Sequence, residues 1–151
     1  MSTTTVKMGR QGAFMHIEWT DEHQTGHPVI DHEHQGIVDI INRLEALVDS
    51  ENATEIGEVL CDITDYVLVH FGHEETLMQS IRYPLFDQHM LSHCQFFSSL
   101  TQFIYGFETG RVGLIREIQA FLASWLVQHE SAEDKLFVNY LMRHQAGGPG
   151  P

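Results

Sequence analysis

His70 and Glu74 stand four residues apart, and so do His89 and His93, the separation that projects two side chains from one face of a helix about one turn apart. Pairs of this kind can bite one metal twice or reach two adjacent metals. His34 and His129 supply two further imidazoles. Five neutral nitrogens with carboxylate oxygens form a borderline ligand set that suits iron. Histidine usage points the same way, because eleven in 151 residues is well above ordinary and asks for a metal. Zinc fits less well: a structural zinc needs four ligands and favours thiolate, and the His-Glu-x-x-His pattern fails at His73-Glu74, where Leu77 stands in the second histidine's place.

Such residues need rigid elements to bring them together, and the apolar rhythm supplies four helices with no strand signal. In the first, Ile30, His34, Ile37, Ile41, Leu44 and Val48 recur at alternating spacings of four and three, with Asp31 placed to cap its start. The second carries the rhythm from Ile56 through His70 and Glu74 to Ile81 and ends at 82–84, where Pro84 stops it. The third runs from Phe86 through His89 and His93 to Phe107, closed by Thr109-Gly110, and the fourth through Ile115, Ile118, Leu122, Trp125 and His129. Short connections make neighbours antiparallel, so the expected fold is all-α, an up-down-up-down four-helix bundle over residues 30–144. An irregular arm, residues 1–29, precedes it, and a disordered Gly- and Pro-rich tail, 145–151, follows. His34, His70, Glu74, His89, His93 and His129 thus occupy seam positions that packing would give to Leu or Ile, and each is costly to bury unless satisfied. At roughly 1.5 Å per residue, counting from the turns puts His34, His70, His93 and His129 at one depth. The imidazoles converge.

With these residues in view, the chain resembles the bacterial hemerythrins. The pattern is Asp31-x-x-His34, His70-x-x-x-Glu74, His89-x-x-x-His93 and Trp125-Leu126-x-x-His129-x-x-x-x-Asp134, and the likeness runs from about Trp19 to Asp134. The resemblance implies that His89, His93 and His129 bind one iron and His34 and His70 the other, with Glu74 and Asp134 bridging the pair beside an oxo or hydroxo group. It implies reversible binding of dioxygen at the iron that carries fewer histidines, for storage, transport or delivery to an oxygen-consuming enzyme, and a carrier rather than an enzyme. Leu126, one turn before His129, is expected to close the oxygen pocket with Trp125 beside it. A di-iron oxidase or peroxidase of the ferritin-like kind is the rival reading, but those sites use Glu-x-x-His motifs, and no Glu here has a His three residues later. An oxygen or redox sensor is a third.

Composition excludes other classes. Eight basic residues against 21 acidic ones give a net charge of −13, which repels nucleic acid and anionic lipid surfaces. No stretch has the length of a membrane span or the apolar run of a secretory signal, so a cytoplasmic monomer is expected. Cys61 and Cys94 read as reduced core thiols, and His16, His23, His27, His32, His73 and His144 as solvated surface.

One spacing does not fit a regular helix. His129 and Asp134 are five apart, and five α-helical steps turn about 140° away from the starting face. Beyond His129 the apolar rhythm resumes one residue late, at Asp134, Phe137 and Leu141, the mark of a π-bulge. An irregularity is therefore expected between His129 and Asp134, with Glu130 and Glu133 facing water.

Overall fold

Four helical columns form the body of the computed structural model, which describes residues 7–8, 15–50 and 52–147. α1 spans Pro28–Leu47, α2 Ala53–Ser80 and α3 Phe86–Glu108. The fourth column is continuous but composite: α4 (Leu114–Trp125), a π-helical stretch (Leu126–Glu133) and α5 (Asp134–Ala146) follow one another without a turn. α1 and α3 each lie beside both α2 and α4, which closes the all-α bundle in chain order. Among the described residues no helix is long and apolar enough to cross a membrane.

Local chemistry sets the ends. Asn52 caps α2 by accepting from the N–H groups of Thr54 and Glu55. Arg82, with φ 52°, turns the chain ahead of Pro84, and Gly110 and Gly113, with φ 73° and 77°, take the left-handed conformations that make the α3–α4 turn. The start of α1 departs from expectation. Pro28 occupies the first turn, and His27 is the cap, its Nδ1 accepting from the Ile30 N–H at 3.4 Å. Asp31 therefore lies inside the first turn, and its carboxylate instead accepts from the Thr25 N–H (2.6 Å), the Thr25 hydroxyl (2.7 Å) and the Gly26 N–H (3.1 Å), pinning the incoming chain.

That incoming chain is packed. Lys7–Met8 pairs antiparallel with Met15–His16, and Ile17, His23 and Thr25 are buried. His23 was expected at the surface; it stacks on Trp19 with ring centroids 5.3 Å apart and accepts from the Thr20 N–H. At the other end α5 keeps helix through Gln145 and Ala146, two positions into the stretch expected to be disordered; residues 148–151 lie outside the described ones. Cys61 and Cys94, expected in the core, are exposed, because each stands one residue past a seam position, after Leu60 and His93.

The apolar residues form two separate clusters. The larger draws on Ile37, Ile41, Leu44, Val67, Phe71, Phe96, Ile118, Leu122 and Leu126. The smaller, toward the opposite end, gathers Ile30, Met78, Tyr83, Phe137, Val138 and Leu141. By sequence position the titratable seam residues fall at the boundary of the two, His70 beside Phe71 of the larger cluster and the rest between them, in a polar layer that crosses the bundle.

Candidate metal centre

The structure brings all seven sequence-predicted ligands, His34, His70, Glu74, His89, His93, His129 and Asp134, into that layer, each with 3% or less of its surface exposed. Their donor atoms fall into two groups. Glu74, His89, His93 and His129 form one, and His34, His70, Glu74 and Asp134 the other, with the donor atoms of each group all within 4.8 Å of one another. The two carboxylates span the groups. Glu74 Oε1 lies 3.5 Å from His70 Nε2, while its Oε2 lies 3.3 and 3.2 Å from the Nε2 atoms of His89 and His93. Asp134 Oδ2 lies 3.0 Å from His34 Nε2, and its Oδ1 is 3.1 Å from the Nε2 atoms of both His89 and His129.

Most of these contacts are close without being hydrogen bonds. The Nε2 atoms of His34, His70, His93 and His129, Glu74 Oε1 and both Asp134 oxygens are buried with no hydrogen-bond partner. Buried polar atoms are otherwise almost always paired, and so many orphaned donor atoms aimed at two common points are what a pair of metal ions would satisfy. Nitrogen and oxygen donors without thiolate fit iron, and the residues present accommodate it.

The backs of the rings are held by a second set of acids. His70 Nδ1 is hydrogen-bonded to Glu33 Oε2 at 2.8 Å and His93 Nδ1 to Glu75 Oε1 at 2.9 Å, while Glu133 Oε2 lies 3.1 Å from His129 Nδ1 without hydrogen-bond geometry. A carboxylate behind an imidazole fixes the tautomer that leaves Nε2 free to bind metal and raises its basicity. Glu33 also takes a short hydrogen bond from the exposed His73. Burial opposes its ionisation, yet the bonds from His70 and His73 outweigh that and hold its carboxyl below the usual range.

Without metal, protons balance the charge. Burial disfavours the imidazolium form of His89 and His129, but Asp134 and Glu74 overcome it, raising His89 to about 9 and His129, which Glu133 also assists, to about 10. Asp134 is held well below the ordinary carboxylate range despite its burial, because His129, His34 and His70 face it.

The π-helical stretch explains how Asp134 reaches the site. In a π-helix the bond runs from i to i+5, so Asp134 returns to the face of His129, as the five-residue spacing predicts. The stretch is eight residues long, however, and it turns Glu130 inward as well. Glu130, expected in water, is fully buried, because over so wide a turn the residues four and five before Asp134 flank the same face. Glu133 stays partly exposed, with 37% of its side chain accessible, and accepts from the Ser92 hydroxyl at 2.9 Å.

Aromatic rings wall one side. Phe71 lies flat on His93 (3.8 Å between centroids, 4° between planes) and Trp125 on His129 (4.0 Å, 18°). Leu126 is fully buried within the larger apolar cluster. Trp125 thus covers a ligand ring.

The hemerythrin HHE cation binding domain family matches residues 25–141, a span that holds all seven of these side chains. The chain belongs to this family. Hemerythrin relatives include a bacteriohemerythrin from Pseudomonas aeruginosa (strain LESB58), 34% identical over 130 residues, 85% of this chain and 83% of that protein. Another, from Methylococcus capsulatus, is 32% identical over 122 residues, covering 80% of this chain and 93% of that one. A crystal structure of wild-type hemerythrin superposes with a TM-score of 0.76 at 31% identity, over 83% of this chain and 97% of that one. Hemerythrin membership accounts for the buried polar layer. The outer acids Glu33, Glu75 and Glu133, and the inward Glu130, carry no seam signal: each stands one residue from a candidate ligand, where the helical rhythm reads it as solvated.

Proposed function

We propose that this chain binds dioxygen reversibly at a carboxylate-bridged pair of irons, as a monomeric carrier that stores oxygen or passes it to an oxygen-consuming enzyme. The observation that carries this reading is the inequality of the two donor groups. Three imidazoles serve one metal position and two the other, with Glu74 and Asp134 shared. Two octahedral ions would offer about twelve positions; the five imidazoles, the four carboxylate oxygens and a shared oxo or hydroxo group bonded to both would fill about eleven, leaving one place for an outside ligand on the side of His34 and His70. Ferrous ions held by these residues would supply the two electrons that dioxygen takes up on binding.

The protein's own part is restraint. Glu74 and Asp134 fix the separation of the two positions, and Glu33, Glu75 and Glu133 keep the rings oriented. Phe71 and Trp125 shield ring faces at the three-histidine end, and Leu126, next to Trp125, is the apolar side chain that keeps water from the oxygen pocket. No second chain is needed, since one bundle provides every candidate ligand.

The test is an optical spectrum of the ferrous, iron-loaded protein before oxygen, after oxygen and after flushing with argon. A visible band that appears with oxygen and fades under argon is expected. A colourless oxygen-exposed protein sinks the reading, and hydrogen peroxide as the only recoverable product replaces the carrier with an oxidase. Leu126→Ala should hasten irreversible oxidation of the oxygenated form.

A further inference from the structure

Glu130 is a buried carboxyl that the candidate ligand set does not use. It belongs to neither group of converging donor atoms, so it stands beside the ligand shell. Its Oε1 accepts from the Tyr66 hydroxyl at 3.3 Å, while its Oε2 is buried with no partner. Tyr66 in turn stacks on His70, with ring centroids 5.5 Å apart and planes at 20°. This places the carboxyl on the two-histidine side. The Tyr66 ring lies against α1 at Gly36, where a Cβ would meet Cε2 at 3.4 Å, an ordinary van der Waals distance.

An apolar side chain would fill this position at no desolvation cost, whereas a carboxyl oxygen without a partner destabilises the fold. The unmet oxygen calls for a hydrogen-bond donor, and the place for an outside ligand lies on the same side of the centre. We propose that Glu130, anchored by Tyr66, selects the ligand at the His34/His70 metal position: Oε2 accepts a hydrogen bond from a small oxygen ligand bearing O–H, water or hydrogen peroxide, and disfavours aprotic anions such as azide. The inference rests on the di-iron reading above and adds to it a residue that discriminates among small ligands.

The experiment is an azide titration of the diferric, iron-loaded protein, followed by its absorption, for the wild type, Glu130→Gln, Glu130→Leu and Tyr66→Phe, with iron content measured alongside. Azide should bind at least about tenfold more tightly to both Glu130 variants, tightest to Glu130→Gln, whose amide N–H donates to the anion. Tyr66→Phe, which frees the carboxyl, should fall between. Affinities within twofold across the set would reduce Glu130 to a packing partner of Tyr66. Loss of iron from both Glu130 variants would make it part of the metal-holding set, which also overturns the proposal. The carrier reading fails separately: if the wild type does not oxygenate reversibly, the azide ranking still stands or falls on its own.

Discussion

The two ends of the centre have opposite surroundings. Around His89, His93 and His129 the neighbours are aromatic faces, Phe71 flat on one ring and Trp125 flat on another, with Glu75 and Glu133 behind. Around His34 and His70 they are polar, with Tyr66, Glu33 and Glu130 on hand. Phe71 and Trp125, at 3.8 and 4.0 Å between centroids, restrain their rings more closely than Tyr66, at 5.5 Å, restrains His70, so the three-histidine end is the more rigid. The two-histidine end keeps hydrogen-bonding groups beside it, Tyr66 and Glu130 among them, which is where the ligand exchange proposed above would need them. Rigidity and reactivity are thus divided across a few ångströms by the choice of neighbours.

Removing what the two ends share should have the largest effect. Glu74→Ala deletes the carboxylate that faces both groups, and iron measured by metal analysis should fall from about two per chain to well below one. His73→Ala should leave iron content unchanged, since Glu33 keeps its bond from His70; equal loss in both variants would mean the second helix is not the one that holds the metals. Next in size is the aromatic wall. Phe71→Ala, at a side chain 2% exposed, should destabilise the protein by about 3–5 kcal/mol in denaturant unfolding, the usual cost of deleting a buried ring. The corresponding Tyr66→Phe on the polar side should cost far less.

Glu75→Gln probes the three-histidine end more gently. Weakening the acid behind His93 should lower iron affinity roughly tenfold to a hundredfold in a chelator competition, and an unchanged affinity would show that Glu75 is merely solvated. The metal-free state is tested by pH dependence. His89 and His129 rise from 6.5 in the unfolded chain to about 9 and about 10 in the metal-free fold, so the stability they add is full below pH 6.5 and is lost as pH climbs through those values. The metal-free protein should therefore melt at progressively lower temperature between pH 6.5 and about 10, while the iron-loaded protein, its protons replaced by metal, should not. A flat Tm for the metal-free protein would refute the charge balance described above.

The helices and the gathering of the seven candidate ligands were legible in the sequence because the same 3.6-residue rhythm encodes both: a polar residue on an apolar seam betrays itself. The π-helical stretch was legible for the same reason, as a slip in that rhythm. Its extent was not. A slip of one residue marks where the register changes but not over how many residues the widened turn is spread, and that length decides whether Glu130 faces water or the site. The outer acids were invisible because Glu33, Glu75 and Glu133 lie off the seam and reach a neighbouring helix's imidazole, or their own column's in the case of Glu133, only in three dimensions. The cysteines misled in the opposite direction, an apolar reputation outweighing a position one step off the seam.

The division of the core into two apolar clusters by a polar layer gives the bundle a seam across its long axis. On one side, the many residues around Phe71, Phe96 and Leu122 form a unit able to cohere alone; on the other, Ile30, Met78, Tyr83, Phe137 and their few neighbours form a much smaller one. Between them lie charges that hold together only while something neutralises them. Fewer buried apolar side chains hold the smaller end, so in the metal-free protein it should open before the larger one. Metal held across the layer would tie the two ends together, and amide hydrogen exchange at the smaller end should slow on iron loading more than at the larger.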